Sequence, residues 1–160
     1  MNKTRPDPVW RRITPHAFGY DGFRWHARAF CHIDHKFKDF LLPRMLEVRA
    51  FGEPGATGIQ DWLWHTLFPV EICPHPALTA SQKAVVAKDY RMTDGKCVLP
   101  VRHAMLFYVL KRLGLLGDAA DADPRQQHIA LLNGDDVQAA LERAEFSDIN
   151  SRPVDSTRRR

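Results

Sequence analysis

Between Phe23 and His32 two kinds of side chain alternate: Phe23, Trp25, Ala27, Ala29 and Cys31 interleave with Arg24, His26, Arg28, Phe30 and His32. A period of two is the signature of a strand with one buried face, and the odd-numbered set is the expected core side. The even-numbered side then lines up Arg24, His26 and Arg28 in one row. A turn from about Ile33 to Lys36 leads into a second strand within Phe37-Lys-Asp-Phe-Leu-Leu-Pro-Arg-Met45, so the pair reads as a β-hairpin. Three cationic or protonatable groups in a row repel one another unless an anion or open water lies opposite. That row asks for a ligand.

The rest of the chain is arranged around this hairpin. Residues 1–8 are polar, with two prolines, and read as a leader. Trp10–Phe18 is an extended entry, and Gly19-Tyr-Asp-Gly22 is turn chemistry. Phe51-Gly-Glu-Pro-Gly-Ala-Thr-Gly58 concentrates glycine and proline, which places a linker over 52–62 and a first domain over 1–51. The second domain, 63–146, alternates element types. Leu67–Cys73 is a strand stopped by Pro74 and Pro76, and Thr79-Ala-Ser-Gln82 is a capping box opening a helix to about Tyr90. Asp94-Gly95 turns into a strand over Lys96–Val101. An apolar helix over Arg102–Leu113 ends at Gly114. His128–Leu132 is a short strand, and a last helix starts near Asp136. Residues 147–160 are almost devoid of apolar side chains and read as a disordered basic tail. The Arg102–Leu113 helix is apolar around much of its circumference, so it is covered either by its own sheet or by a second copy of the chain.

Composition excludes several classes. A chain of 160 residues, 44% hydrophobic and 26% charged, is ordinary for a globular protein. It contains no apolar run long enough to span a bilayer and no signal-peptide core, so a cytoplasmic location without membrane contact is the expectation. Three widely spaced cysteines, Cys31, Cys73 and Cys97, suit reduced thiols rather than a disulfide framework. The net charge of +4 owes much to Arg158-Arg159-Arg160 and does not by itself mark a nucleic-acid binder.

Cys31-His32-Ile-Asp34-His35, with Cys73 and His75, invites a metal reading, but on a strand Cys31 and His35 face away from His32 and Asp34. No paired ligand spacing fixes a tetrahedral site, so no metal is expected. Cys31 shares the apolar side with Trp25 and Ala27, which suits packing rather than nucleophilic catalysis, and no phosphate-binding glycine loop follows a strand. Neither an enzyme nor a cofactor is expected. The Arg24, His26, Arg28 row is either a solvated sheet face or an anion site.

Arg24-Trp-His-x-Arg-Ala-Phe-Cys31 followed by Phe37-x-Asp-Phe-x-Leu-x-Arg-Met45 resembles the central hairpin of a WYL domain, closest to the phage-defence-associated repressor group. Arg12-Ile-Thr-Pro-His16-Ala-Phe, Pro74-His-Pro-Ala-Leu78, Asp89-Tyr-Arg-Met92 and Val101-Arg-His-Ala-Met105 match the same group in order, from about Arg11 to about Leu115. The resemblance implies an α+β protein: a partial Sm-like/SH3-like β-barrel followed by a small α/β C-terminal extension that helps form a homodimer. It also implies an effector site in which His16 and Arg44 occupy pocket positions beside Arg24, His26 and Arg28. Arginine forks suit phosphate, and Phe30 and Phe40 offer stacking faces, so a nucleotide or short single-stranded nucleic acid is the expected effector. Two departures matter. The namesake Trp-Tyr-Leu is Trp25-His26-Ala27 here, and the chain starts after the family's first barrel strand, without the preceding winged helix-turn-helix. Sequence-specific duplex binding by this chain alone is therefore not expected. The alternatives are a non-binding remnant or dimerisation module of a split regulator, and a small stand-alone nucleic-acid-binding barrel.

Overall fold

The computed structural model describes residues 9–49, 51–118 and 121–150, the last six of these as backbone only. The chain divides into two compact units: the second is Leu63–Ala144, and the first takes the residues up to Trp62 together with those from Glu145 on. The protein is α+β, with one three-stranded antiparallel sheet in each unit.

In the first unit β1 (Ile13–Tyr20), β2 (Trp25–Cys31) and β3 (Lys36–Leu41) form a meander with β2 in the centre. The sheet is open and does not close into a barrel among the described residues. Asp21 builds the first turn: its side chain accepts the backbone N–H groups of Phe23 and Arg24 at 2.8 and 2.6 Å. This short side chain competes with ladder pairing, and the strand therefore ends just before it, at Tyr20. In the second turn His35 takes a positive φ of 51°.

Burial does not follow the expected division of faces. Ala27, Ala29 and Cys31 are enclosed, as their alternation implied. Trp25, however, is 52% exposed and Phe23 91% exposed, while His26 and Arg28 on the other side are only 1% and 4% exposed. β2 is flanked along both edges by its neighbours, and its even-numbered face is covered by the stretch read as a linker. Arg12 donates to the carbonyl of Glu53, and the N–H of Gly55 donates to Thr14 Oγ1 at 3.0 Å. A Cβ at Gly55 would stand 2.6 Å from the His32 ring and 2.9 Å from Phe30, so glycine is what lets the backbone pass there. A 3₁₀ turn, Gly58–Gln60, follows, with Thr57 and Gln60 as its capping box. Residues 52–62 thus form a strap on the even-numbered side.

The second unit is built as its periodicities predict. β4 (Leu67–Pro74) lies between β5 (Cys97–Arg102) and β6 (Ile129–Leu131), antiparallel to both. Phe68, Val70 and Ile72 point into the core, and the intervening positions point out. The single turn α1 (Trp62–His65) precedes β4, and α2 (Ala80–Asp89) opens on the Thr79–Gln82 capping box. The long apolar helix is shorter than its sequence suggests: His103–Met105 is a 3₁₀ turn, and α3 covers Leu106–Leu113. Leu106 and Leu110 are buried in its own unit's core, whereas Phe107 is 48% exposed. Gly114 ends α3 at φ 72°, and Gln127 donates to the carbonyls of Leu113 and Ile129 at 3.0 and 2.9 Å. A Cβ on Gly114 would stand 2.5 Å from the Gln127 side-chain oxygen. Where β6 stops, Asn133 continues the ladder, accepting from Glu71 N–H and donating to the Pro69 carbonyl.

α4 runs from Gly134 to Asn150, which adds Val137 and Ala140 to the core. Positions 147–150, expected in a disordered tail, are helical, and the remainder of that tail lies outside the described residues. No helix among the described residues is long and apolar enough to cross a membrane.

Candidate functional site

The row that starts at Arg24 and continues along β2 meets its counter-charges within the chain. Each of its members ends on an aspartate, and the three aspartates come from three different places.

Asp21, in the β1–β2 turn, receives the side chains of both Arg24 and His26. Arg24 reaches it through Nε at 3.3 Å and Nη2 at 3.1 Å, and His26 Nε2 lies 2.9 Å away. Burial alone would raise the Asp21 carboxyl, but the His26 contact, the backbone N–H groups of Arg24 and Phe23 and the Arg24 side chain outweigh it. They hold the group far below the usual carboxylate range.

Arg28 lies one pleat further on and is almost wholly enclosed. Its Nε donates to Asp61 Oδ2 at 2.7 Å and its Nη2 to Asp61 Oδ1 at 3.1 Å, a side-on fork. Its Nη1 reaches Asp39 Oδ1 at 3.3 Å. Asp39 faces Arg28 across the β2–β3 ladder, so the hairpin register itself delivers this partner. His16 completes the cluster. The register shifts between Pro15 and Ala17, and His16 sits in that bulge with Nε2 3.0 Å from Asp61 Oδ2. Its ring also meets Phe37 edge-on at 5.3 Å. The side chains of His16 and Asp61 are 12% and 2% exposed. Burial pushes the Asp61 carboxyl up, but hydrogen bonds and charge from Arg28, then His16, bring it below its ordinary value.

The structure therefore brings His16 and Arg28 together through Asp61, and Arg24 and His26 together through Asp21. Arg44 is not part of either cluster among the described residues; it stands exposed on the 3₁₀ turn Leu42–Arg44 after β3. Phe30 and Phe40 do not form one stacking surface. Phe30 is opposite Phe37, on the side of Arg28, whereas Phe40 is opposite Ala27, on the other side. Phe30 is engaged by His32, His35 and Phe37, with ring centroids at 5.6, 6.4 and 5.5 Å.

Sequence reasoning passed over Asp21, Asp39 and Asp61 as partners. The need for negative charge opposite the row was a usable signal, and Asp39 follows from the hairpin register. Asp61, 33 positions from Arg28, had no local signal.

A further carboxylate serves the other side of the sheet. Asp34 accepts from Arg11 at 2.8 Å, Lys38 at 2.9 Å and the Cys31 thiol at 3.4 Å. The Lys38 hydrogen bond is the largest influence lowering its carboxyl to about 2, with burial opposing. Cys31 is wholly enclosed there, and His32 shares a 2.8 Å hydrogen bond with Thr14.

Residues 67–137, most of the second unit, match the family model of the BrxR transcriptional regulator, C-terminal dimerization domain. At the level of individual proteins, the chain is similar to the DNA-binding transcriptional repressor CapW of Stenotrophomonas maltophilia, with 43% identity over 135 residues. That alignment covers 83% of the chain and 45% of the relative. CapW of Pseudomonas aeruginosa is 35% identical over 87% of the chain and 46% of its own length. CapW of Escherichia coli is 35% identical over 85% of the chain and 46% of its own length. The chain spans a little under half the length of the curated relatives it matches.

Proposed function

We propose that this chain is the effector-sensing and dimerising part of a bacterial transcriptional regulator of the CapW/BrxR type, with a role in phage defence. In this reading the first unit is a partial WYL barrel of Sm-like form. It binds a nucleotide or short single-stranded nucleic acid at the Arg28 and His16 cluster, with Arg24, His26 and Arg44 near its margin. The second unit forms a homodimer. A cytoplasmic location goes with such a role, and sequence-specific duplex binding is assigned to the part of the relatives that the match leaves out.

The observation that carries this reading is the continuous similarity to repressors across both units, combined with the dimerization-domain match over residues 67–137. The outer face of the second sheet supports the homodimer: Leu67, Val98 and Leu132 are 55%, 45% and 54% exposed there. Such side chains on one face suit a two-fold contact that covers them. Sedimentation equilibrium tests the assembly. A dimer is expected at micromolar concentration, and Val98→Glu with Leu132→Glu should dissociate it. A clean monomer at high micromolar concentration would remove the dimerising half of the reading.

A non-sensing dimerisation module is the second reading. It is favoured by one observation, that Arg28 already finds two carboxylates within the chain.

A further inference from the structure

Arg28 presents its whole Nε–Nη2 edge to the two oxygens of Asp61. That is the geometry in which a guanidinium grips a carboxylate or a phosphate. His16 converges on the same Oδ2 atom. An arginine edge and an imidazole meeting at one pair of oxygens make an anion site, and its occupant here is the chain's own side chain.

The occupant is carried by the strap. Asp61 ends the 3₁₀ turn, with its N–H on the Gly58 carbonyl at 3.1 Å. Gly58 rests against His16 so closely that a Cβ there would stand 2.8 Å from that side chain. The carboxylate can occupy the site only while the strap is seated. One residue beyond Asp61 the chain passes from the first unit into the second.

We propose that Asp61 is an internal competitor: a phosphate-bearing effector takes its place on Arg28 and His16 and lifts the 52–62 strap from the sheet. This deepens the effector reading above and rests on it. The exchange leaves no buried charge unpaired. The ligand's oxygens replace those of Asp61, Asp39 keeps its hold on Nη1, and the released carboxylate is hydrated. A neutral ligand would leave Arg28 with Asp39 alone and bring no charge to replace the released carboxylate, so it competes poorly with Asp61. A phosphomonoester brings about −1.5 to −2 charges at neutral pH, more than the single charge it displaces, so the exchange favours a terminal phosphate over another carboxylate. Because the strap must lift first, the apparent affinity is the intrinsic affinity multiplied by the small fraction of molecules in which the strap is already lifted.

Calorimetry on the full chain, with inorganic phosphate, adenosine monophosphate and oligothymidylate as probes, tests the idea. Asp61→Asn removes the competing charge, and Gly58→Ala unseats the strap while leaving Asp61 intact. Both variants should bind a phosphate probe about ten-fold or more tightly than the wild type. In the wild type the probe should speed hydrogen exchange at the Gly55 and Asp61 amides. If Asp61→Asn does not fold, Gly58→Ala and wild-type exchange decide the matter. If the wild type binds a probe, the folded variants bind it no better and the strap amides are unchanged, internal competition is wrong and effector binding stands. If no protein binds any probe, the effector reading itself fails and takes this proposal with it.

Discussion

The two units use opposite means to hold a three-stranded sheet. In the second, Phe68, Val70, Ile72, Leu106, Leu110 and Ile129 form an apolar core, with His75 its buried polar side chain among the described residues. In the first, the enclosed positions of the central strand are Ala27, Ala29 and Cys31 on one side and His26 and Arg28 on the other, with Asp61 brought in against Arg28. Apolar burial is non-directional and scales with area, so the second unit should tolerate swaps that conserve volume. A buried ion pair gives little net stability but is costly to break, because the surviving charge is stranded. The first unit is therefore specified by geometry more than by area. A site made of such pairs can change partners, which an apolar core cannot.

The largest effect should come from breaking the ionic cluster. Arg28→Ala leaves Asp61 and Asp39 without their main partner and should cost about 3–5 kcal/mol. The loss should be confined to the first unit, so amide exchange in β1–β3 should rise while β4 stays protected. Equal loss in both units would erase the distinction. This result also makes Arg28→Ala a poor probe of binding, because the fold is lost with the ligand contact.

Leu110→Ala is the counterpart in the apolar unit. It removes a side chain with no solvent exposure and should cost about 2–5 kcal/mol through lost transfer energy and a residual cavity. Thermal unfolding followed by exchange should place this loss in β4–β6. Leu110→Met should recover most of it, whereas a replacement such as Arg28→Lys should recover little, since a lysine cannot reproduce the fork.

Acid should separate the units next. Asp21 and Asp61 have carboxyl groups lowered in the folded state from an ordinary value of 3.8. A lowered folded value means stability that is fully present above the unfolded pKa and lost as pH falls through the folded one. The first unit should therefore weaken progressively below about pH 4, while the second, with its apolar core, changes less. Nuclear magnetic resonance of β2 and β4 amides across this range reads the difference directly.

The smallest effect belongs to Trp25. Its ring lies 5.2 Å from that of Tyr20 and is half exposed rather than buried. Trp25→Ala should cost only about 0.5–1.5 kcal/mol, the worth of an exposed aromatic pair. A loss as large as that of Leu110→Ala would restore Trp25 to a core role.

The elements of the second unit were legible because their signals are local. Thr79 and Gln82 mark a helix start, Gly114 a helix end, and the alternation through Phe68, Val70 and Ile72 a half-buried strand. The hairpin of the first unit was legible for the same reason, as was the demand of Arg24, His26 and Arg28 for something anionic. Which anion answers that demand was not. Asp39 is reached through strand register, Asp21 through a turn, and Asp61 only by folding a glycine-rich stretch back over the sheet. Composition marks such a stretch as a chain without preferred local structure, and it takes its course from the surface it meets. Local propensity and periodicity therefore determined the elements, whereas the pairing of charges distant in sequence, and with it the face of the sheet that is closed, was decided by the tertiary structure alone.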